Sequence, residues 1–317
     1  MILDLNFQKI NNATLLIMSI VGVALLGILI PRGFTGNYFW PFEAIKKDRK
    51  ELQISKDSLR NYGKKLVEHT AVYFGPNGQI AKINNGMNCQ NCHLQGGTKE
   101  YGNNFFAVAA TYPKYRERSG TIENVKKRIN DCFERSLNGQ PIDTNSIEMR
   151  ALEVYVLSVG KEVPKSAIPK YFGIAKLKYL DRAANAKTGE TIYQVKCFSC
   201  HGNNGDGVLN DAEFTYPPVW GLSSFNYGAG LFRLSNMAGF LKYNMPFGAS
   251  FEKPLLSDEE AWDLAAFLVS KTRPMMDISK DWPDISKKPV DHPFGPFKDD
   301  FTEIQHKFGP FKAVADF

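Results

Sequence analysis

The sequence predicts a mainly α-helical protein of two small domains, with an apolar helix before them and an irregular strap after them. Three observations lead there. Amphipathic helical patterns flank two copies of one cysteine-rich pentapeptide, the copies lie 108 residues apart, and alternating strand patterns are sparse. The 317 residues suit about two domains at roughly 150 residues each. The expected division is an N-terminal segment over 1–35, a first domain over 45–160, a linker over 161–186, a second domain over 187–272 and a strap over 273–317. With 43% hydrophobic residues the chain has material for sizeable cores, which excludes disordered, collagen-like and coiled-coil classes. A net charge of +6 is mild for this length. It argues against a nucleic-acid partner and suits a small anion or an acidic protein.

The first element is Ala13 to Ile30, eighteen uncharged residues. As a helix it would be about 27 Å long, near the hydrocarbon thickness of a bilayer. It exceeds the usual apolar region of a signal peptide and ends Ile30-Pro31-Arg32 with no small-x-small cleavage site. The expectation is an uncleaved membrane anchor that holds the remaining chain on the periplasmic side of the inner membrane, with a soluble periplasmic protein after signal cleavage as the alternative.

The pentapeptides are Cys89-Gln90-Asn91-Cys92-His93 and Cys197-Phe198-Ser199-Cys200-His201. C-x-x-C-H is the attachment pattern of c-type haem. Two thiols three residues apart on one turn reach the two vinyl groups of one porphyrin, and the adjacent His comes under the iron. Zinc sites pair two CxxC units into four ligands, and thioredoxin-like dithiols sit in a βαβ pattern that is not seen here. Two covalent haem c groups are expected, held by Cys89, Cys92, Cys197 and Cys200, with His93 and His201 as iron ligands.

Around the first motif, Asp57 to Glu68 reads as a helix, and Thr121 to Leu137 as an amphipathic helix with Ile122, Val125, Ile129, Phe133 and Leu137 on one face. Ile147 to Leu157 is a third helix. Around the second, Thr188 to Val195 leads into the motif and Gly230 to Tyr243 is helical. Ser257-Asp258-Glu259-Glu260 is a capping box that starts a helix carrying Trp262, Ala265, Ala266 and Val269. This is the layout of two cytochrome c-like domains. The strap repeats His-x-Phe-Gly-Pro-Phe-Lys at a spacing of fourteen residues, at His292 and at His306, with too much Pro and Gly for regular structure. These two histidines read as packing or surface residues.

The second iron ligand separates an electron carrier from a ligand-binding haem. For the second haem the candidate is Met245, forty-four residues after His201 and just before the last helix, with Met237, Met275 and Met276 as competitors and core packing as the alternative role. For the first no Met stands in an equivalent loop. Cys132, the fifth cysteine, is either a buried inert thiol or a thiolate on the first iron, which would lower that haem's potential. Lys114, Arg116, Arg118, Lys126, Lys127, Arg128 and Arg135 crowd the same stretch, and Arg118 and Arg135 are the expected anion-binding residues.

Taken together, Gly86 to His93, Tyr115 to Gly120, Arg128 to Ser136, Tyr216 to Gly221, Phe225 to Gly230 and Asn244-Met245-Pro246 resemble the thiosulfate dehydrogenases. These are dihaem c-type cytochromes that join two thiosulfates into tetrathionate, and some run in reverse. The resemblance covers roughly residues 57 to 275. It implies Cys132 as thiolate ligand at an active-site haem, Arg118 and Ser136 beside the substrate, and His201 with Met245 on an electron-transfer haem. Some members carry Lys before that Met, where this chain has Asn244. It also implies an external electron partner, expected to be a small cytochrome c. The rival readings are a plain dihaem electron carrier, a dihaem peroxidase, and a sulfur-transfer cytochrome.

Overall fold

Each domain grows from two helices that cross at a glycine. The computed structural model describes residues 55–315. Helix α1 (Lys56–Glu68) starts where the Ser55 hydroxyl accepts from the Ser58 amide, and buries Leu59, Leu66 and Val67. It packs on α3 (Ile147–Val159), capped by Ser146 and burying Met149, Ala151, Leu152, Tyr155 and Val156. The approach is so close that a Cβ at Gly63 would stand 2.0 Å from the Ala151 carbonyl oxygen. The second domain repeats the arrangement. Helix α4 (Ala186–Lys196) crosses α6 (Asp258–Ser270), and a Cβ at Gly189 would stand 1.9 Å from the Asp263 carbonyl oxygen. Only glycine fits either crossing. Two apolar clusters result, one around Leu66, Phe133 and Met149, the other around Tyr193, Trp262 and Leu264.

Between the crossing helices the first domain departs from expectation. Thr121–Glu123 is not helical. It is strand β2, paired antiparallel with β1 (Lys114–Arg116) in the register Tyr115 to Ile122. Ile122 is 74% exposed and off the apolar face assigned to it. The cause is Asn124, whose side chain accepts from the Lys127 amide and starts helix α2 (Val125–Arg135) four residues late. In the second domain, hairpin β3 (Val208–Asn210) and β4 (Glu213–Tyr216) reaches back to the first. Phe214 packs on the first core, and the Glu213 carboxylate accepts from the Asn88 amide at 3.0 Å. The predicted helix over Gly230 to Tyr243 is broken: a 3-10 turn ends at Phe232, and Arg233 is extended before helix α5 (Leu234–Asn244).

The strap is more regular than its Pro and Gly content predicts. Thr302 caps α7 (Glu303–Phe308), and α8 (Phe311–Ala315) follows. Both strap histidines are buried packing residues. His306 bonds the Val290 carbonyl and the Asp299 carboxylate, and burial pushes His292 down to about 4. The apolar run 13–30 lies outside the described residues. Among those described, no helix is long and apolar enough to cross a membrane.

Candidate active site

A cavity of about 430 Å³ opens where the first domain, α5 and the strap meet. Cys92 and His93 stand on its wall together with Cys132 and Ser136 of the α2 region. Cys132 is on the last turn of α2 and Ser136 is its C-cap, so a spacing of four puts both on the cavity face. Lys114, Arg116, Arg118, Arg128, Arg233 and Lys287 line the remainder, with Glu117 as the acidic residue of the lining. Arg116 ends β1, paired with Thr121 of β2, and Arg118 lies in the turn between the two strands, so this hairpin is the element that positions them.

These cations differ in freedom. Arg233 is tied to Asp291, and Arg116 lies 3.9 Å from Glu123. Arg118 donates to the Gly228 carbonyl at 3.3 Å and stands 4.0 Å from Asp281. Burial, with Arg135 and Arg128 nearby, pushes it down to about 10. Arg128 is four residues before Cys132, and electrostatic coupling to that sulfur holds its guanidinium above the usual arginine range. In the sequence Arg128 is one of seven cations in this stretch, and its i, i+4 spacing to Cys132 is the signal that sets it apart. Arg135 is placed elsewhere. It grips Asp281 with two bonds of 2.7 Å and donates to Gly228, which makes it a strut between α2, the second domain and the strap.

The two pentapeptides share their backbone bonds: the amides of Cys92 and His93 donate to the Cys89 carbonyl, and those of Cys200 and His201 to the Cys197 carbonyl. Burial pushes the Cys89 and Cys92 thiols up to about 12 and Cys197 to about 11. None of the five cysteines forms a disulfide. His93 Nδ1 donates to the Asn103 carbonyl, and His201 Nδ1 to the Pro217 carbonyl at 2.8 Å. That contact fixes the tautomer and leaves each Nε2 lone pair for a metal. Burial pushes both imidazoles down, His93 to about 4. Met245 ends α5 and packs on the second apolar cluster. The preceding Asn244 is buried and donates to the Tyr101 and Phe240 carbonyls.

A further observation fits a haem. Arg273 is 2% exposed, lies flat over Phe225 at 3.9 Å, and donates to Ser224, Val219 and Leu268, all uncharged acceptors. Its Nε has no partner. A buried guanidinium without an anion is strongly unfavourable, and a porphyrin propionate is the anion the donor set lacks.

Residues 79–164 match the SoxA/TsdA cytochrome c domain family, and residues 184–268 match the family described as cytochrome c oxidase, cbb3-type, subunit III. The thiosulfate dehydrogenase of Allochromatium vinosum is 38% identical over 198 residues, 61% of this chain and 72% of that one. That of Stutzerimonas stutzeri is 32% identical over 285 residues, 82% of this chain and 85% of the relative. The chain belongs to the thiosulfate dehydrogenase family. A solved thiosulfate dehydrogenase (TsdBA) from Marichromatium purpuratum is also similar, with a TM-score of 0.64 and 29% identity over 70% of this chain. The present chain spans about half of that one, 48%. As a thiosulfate dehydrogenase family member this is an enzyme, an oxidoreductase made of two cytochrome c domains, which imply haem c as its cofactor.

Proposed function

We propose that the protein interconverts thiosulfate and tetrathionate, two thiosulfates giving one tetrathionate and two electrons, in the cavity beside Cys132. Cys89 and Cys92 would hold one haem c with His93 and Cys132 as iron ligands, and Cys197 and Cys200 a second with His201 and Met245. When bound, these groups supply one-electron acceptors. The protein's own part is electrostatic. Two thiosulfate dianions repel each other, and bringing their outer sulfurs together requires fixed positive charge that needs no reorganisation. Arg118, Arg128, Lys114 and Lys287 supply it, Ser136 adds a hydroxyl, and Cys132 sets a sulfur among them. The second domain passes electrons to an external partner, a small cytochrome c. Phe198 within its pentapeptide and Phe247, two residues after Met245, are exposed. Covalent haem supports a site of action outside the cytoplasm, on the periplasmic side, and the uncharged 13–30 run supports a membrane anchor as part of this reading.

The observation that carries this reading is that Cys132 and the cluster of cations share one cavity wall. A plain electron carrier has no use for a cationic cavity there. The test is turnover by the purified dihaem protein, with thiosulfate plus ferricyanide and with tetrathionate plus a reduced viologen. Cys132→Gly is expected to lower turnover on the order of 100-fold or more while the haem content stays at wild type. Full turnover in that variant overturns the proposal.

A further inference from the structure

Trp282 carries a feature that neither the two matched families nor the sequence pattern covers, since both family matches end before the strap begins. It lines the cavity. Its indole Nε1–H is buried without a hydrogen-bond partner, and so is the Nε–H of Arg118, which lines the same cavity and whose nearest carboxylate oxygen, on Asp281, stands 4.0 Å away. A buried donor left unpaired is costly, and two on residues that line one cavity mark a place where an acceptor belongs. The two residues are also built as a unit. The Trp282 amide donates to the Arg118 carbonyl at 2.7 Å, and the Arg118 guanidinium lies 5.9 Å from the centre of the indole ring. Trp282 has φ of 61°, a left-handed backbone that a bulky residue adopts only when its surroundings hold it there. On one side Asp281 is clamped by Arg135. On the other, Pro283 packs on Gly120, where a Cβ would come within 2.6 Å of the proline ring and where φ is 66°. The chain therefore holds this tryptophan in a disfavoured conformation on the cavity wall, with its N–H buried behind that wall.

We propose that Trp282 is an oxyanion-binding residue: its indole N–H and the Nε–H of Arg118 form a paired-donor cradle for one anionic oxygen. The oxygen belongs to the sulfonate group of a thiosulfate-like dianion entering the cavity or to a haem propionate. Both are acceptor-only anions, which suit two donors of this kind. The strap is then part of the site and not merely a covering. The inference deepens the function proposed above and rests on it for the sulfonate source.

The test uses the purified dihaem protein and Trp282→Phe, which removes the N–H and keeps an aromatic ring. Thiosulfate binding to the ferric protein is read by calorimetry without an electron acceptor. KM and kcat are read by steady-state assay, and the haem midpoint potentials between pH 5 and 8 by spectroelectrochemistry. For the sulfonate source, the thiosulfate Kd and KM rise about tenfold with kcat nearly unchanged and potentials unmoved. For the propionate source, Kd is unmoved and one midpoint falls and gains pH dependence, because the carboxylate has lost a donor. Either result supports the cradle. A variant with wild-type Kd, KM and potentials overturns it, and a fall in Tm alone has the same meaning, since a merely structural tryptophan would behave so. Wild-type protein that neither binds nor turns over thiosulfate sinks the functional reading, and the potentials then decide the cradle separately.

Discussion

The two cytochrome c domains use one scaffold for opposite surroundings. In both, a glycine lets the first and last helices touch backbone to backbone, and in both the pentapeptide histidine donates Nδ1–H to a loop carbonyl. They part on the other side of that histidine. The first domain presents Cys132 from the last turn of α2, among arginines and facing a cavity. The second presents Met245 from the end of α5, packed against an apolar cluster. As the proposed iron ligands, a thiolate among cations would suit sulfur chemistry and a low potential, whereas a thioether among hydrocarbons would suit electron transfer at a higher one. The fold therefore decides where a haem can sit, and a few residues on the facing helix decide what it is for.

The largest expected effect lies at the joint between the two. Asp281 and Arg135 are mostly buried, and breaking such a pair leaves an uncompensated charge. Arg135→Gln is expected to cost about 3–5 kcal/mol and lower Tm by roughly 10 °C. Thermal unfolding of the holo protein checks this. A higher KM with Tm unmoved would return Arg135 to the list of substrate-binding residues and blur the distinction between joint and cavity.

The shared scaffold is tested next. Gly63→Ala and Gly189→Ala each force a methyl into a backbone carbonyl, and overpacking of this kind costs about 1–3 kcal/mol or more. The two variants should lose similar stability in denaturant titrations, since the crossings match to 0.1 Å in clearance. Tolerance at one and not the other would show that the domains are not built alike.

How much of this could be read from the chain depends on the range of the interaction. The pentapeptides, the Ser257–Glu260 capping box and the helix starting near Ile147 are local patterns, and they were legible. Thr121–Glu123 was not, because Val125, Ile129 and Phe133 set a helical period that Ile122 happens to continue, while one Asn124 cap decides where the helix starts. Arg135 and Arg118 look alike in sequence. They differ through Asp281, more than 140 residues away, which leaves no local trace. Trp282 and Arg273 lie in or next to a strap whose Pro and Gly suggested irregularity, and only tertiary contacts reveal what they bury.

Within the cavity the effect should shift from stability to affinity. Arg128 has no carboxylate hydrogen-bonded to it and stands beside Cys132. Arg128→Gln is expected to raise KM for thiosulfate about tenfold, with Tm close to wild type. Steady-state kinetics and a melting curve on the same preparation separate this from the Arg135 result. Equal losses of stability in both variants would erase the contrast between strut and ligand.

The smallest effect belongs to the second domain's last helix. Ser257 accepts from the Glu260 amide, Glu260 returns a bond to the Ser257 amide, and Lys196 of α4 donates to the Glu260 carboxylate at 2.8 Å. The first domain's α3 has the serine cap without the reciprocal carboxylate. The Lys196 bond holds Glu260 below the ordinary carboxylate range. A depressed folded pKa stabilises the fold above the unfolded value, near about 4.3, and that stabilisation is lost as the pH falls through the folded value. Both side chains are about a third exposed, so solvent screens the pair and Glu260→Gln should cost no more than about 1 kcal/mol at neutral pH. Unfolding of the variant and wild type should converge as the pH falls below 4. A gap that persisted in acid would mean the carboxylate's charge is irrelevant there, and that the cap holds through hydrogen bonding alone.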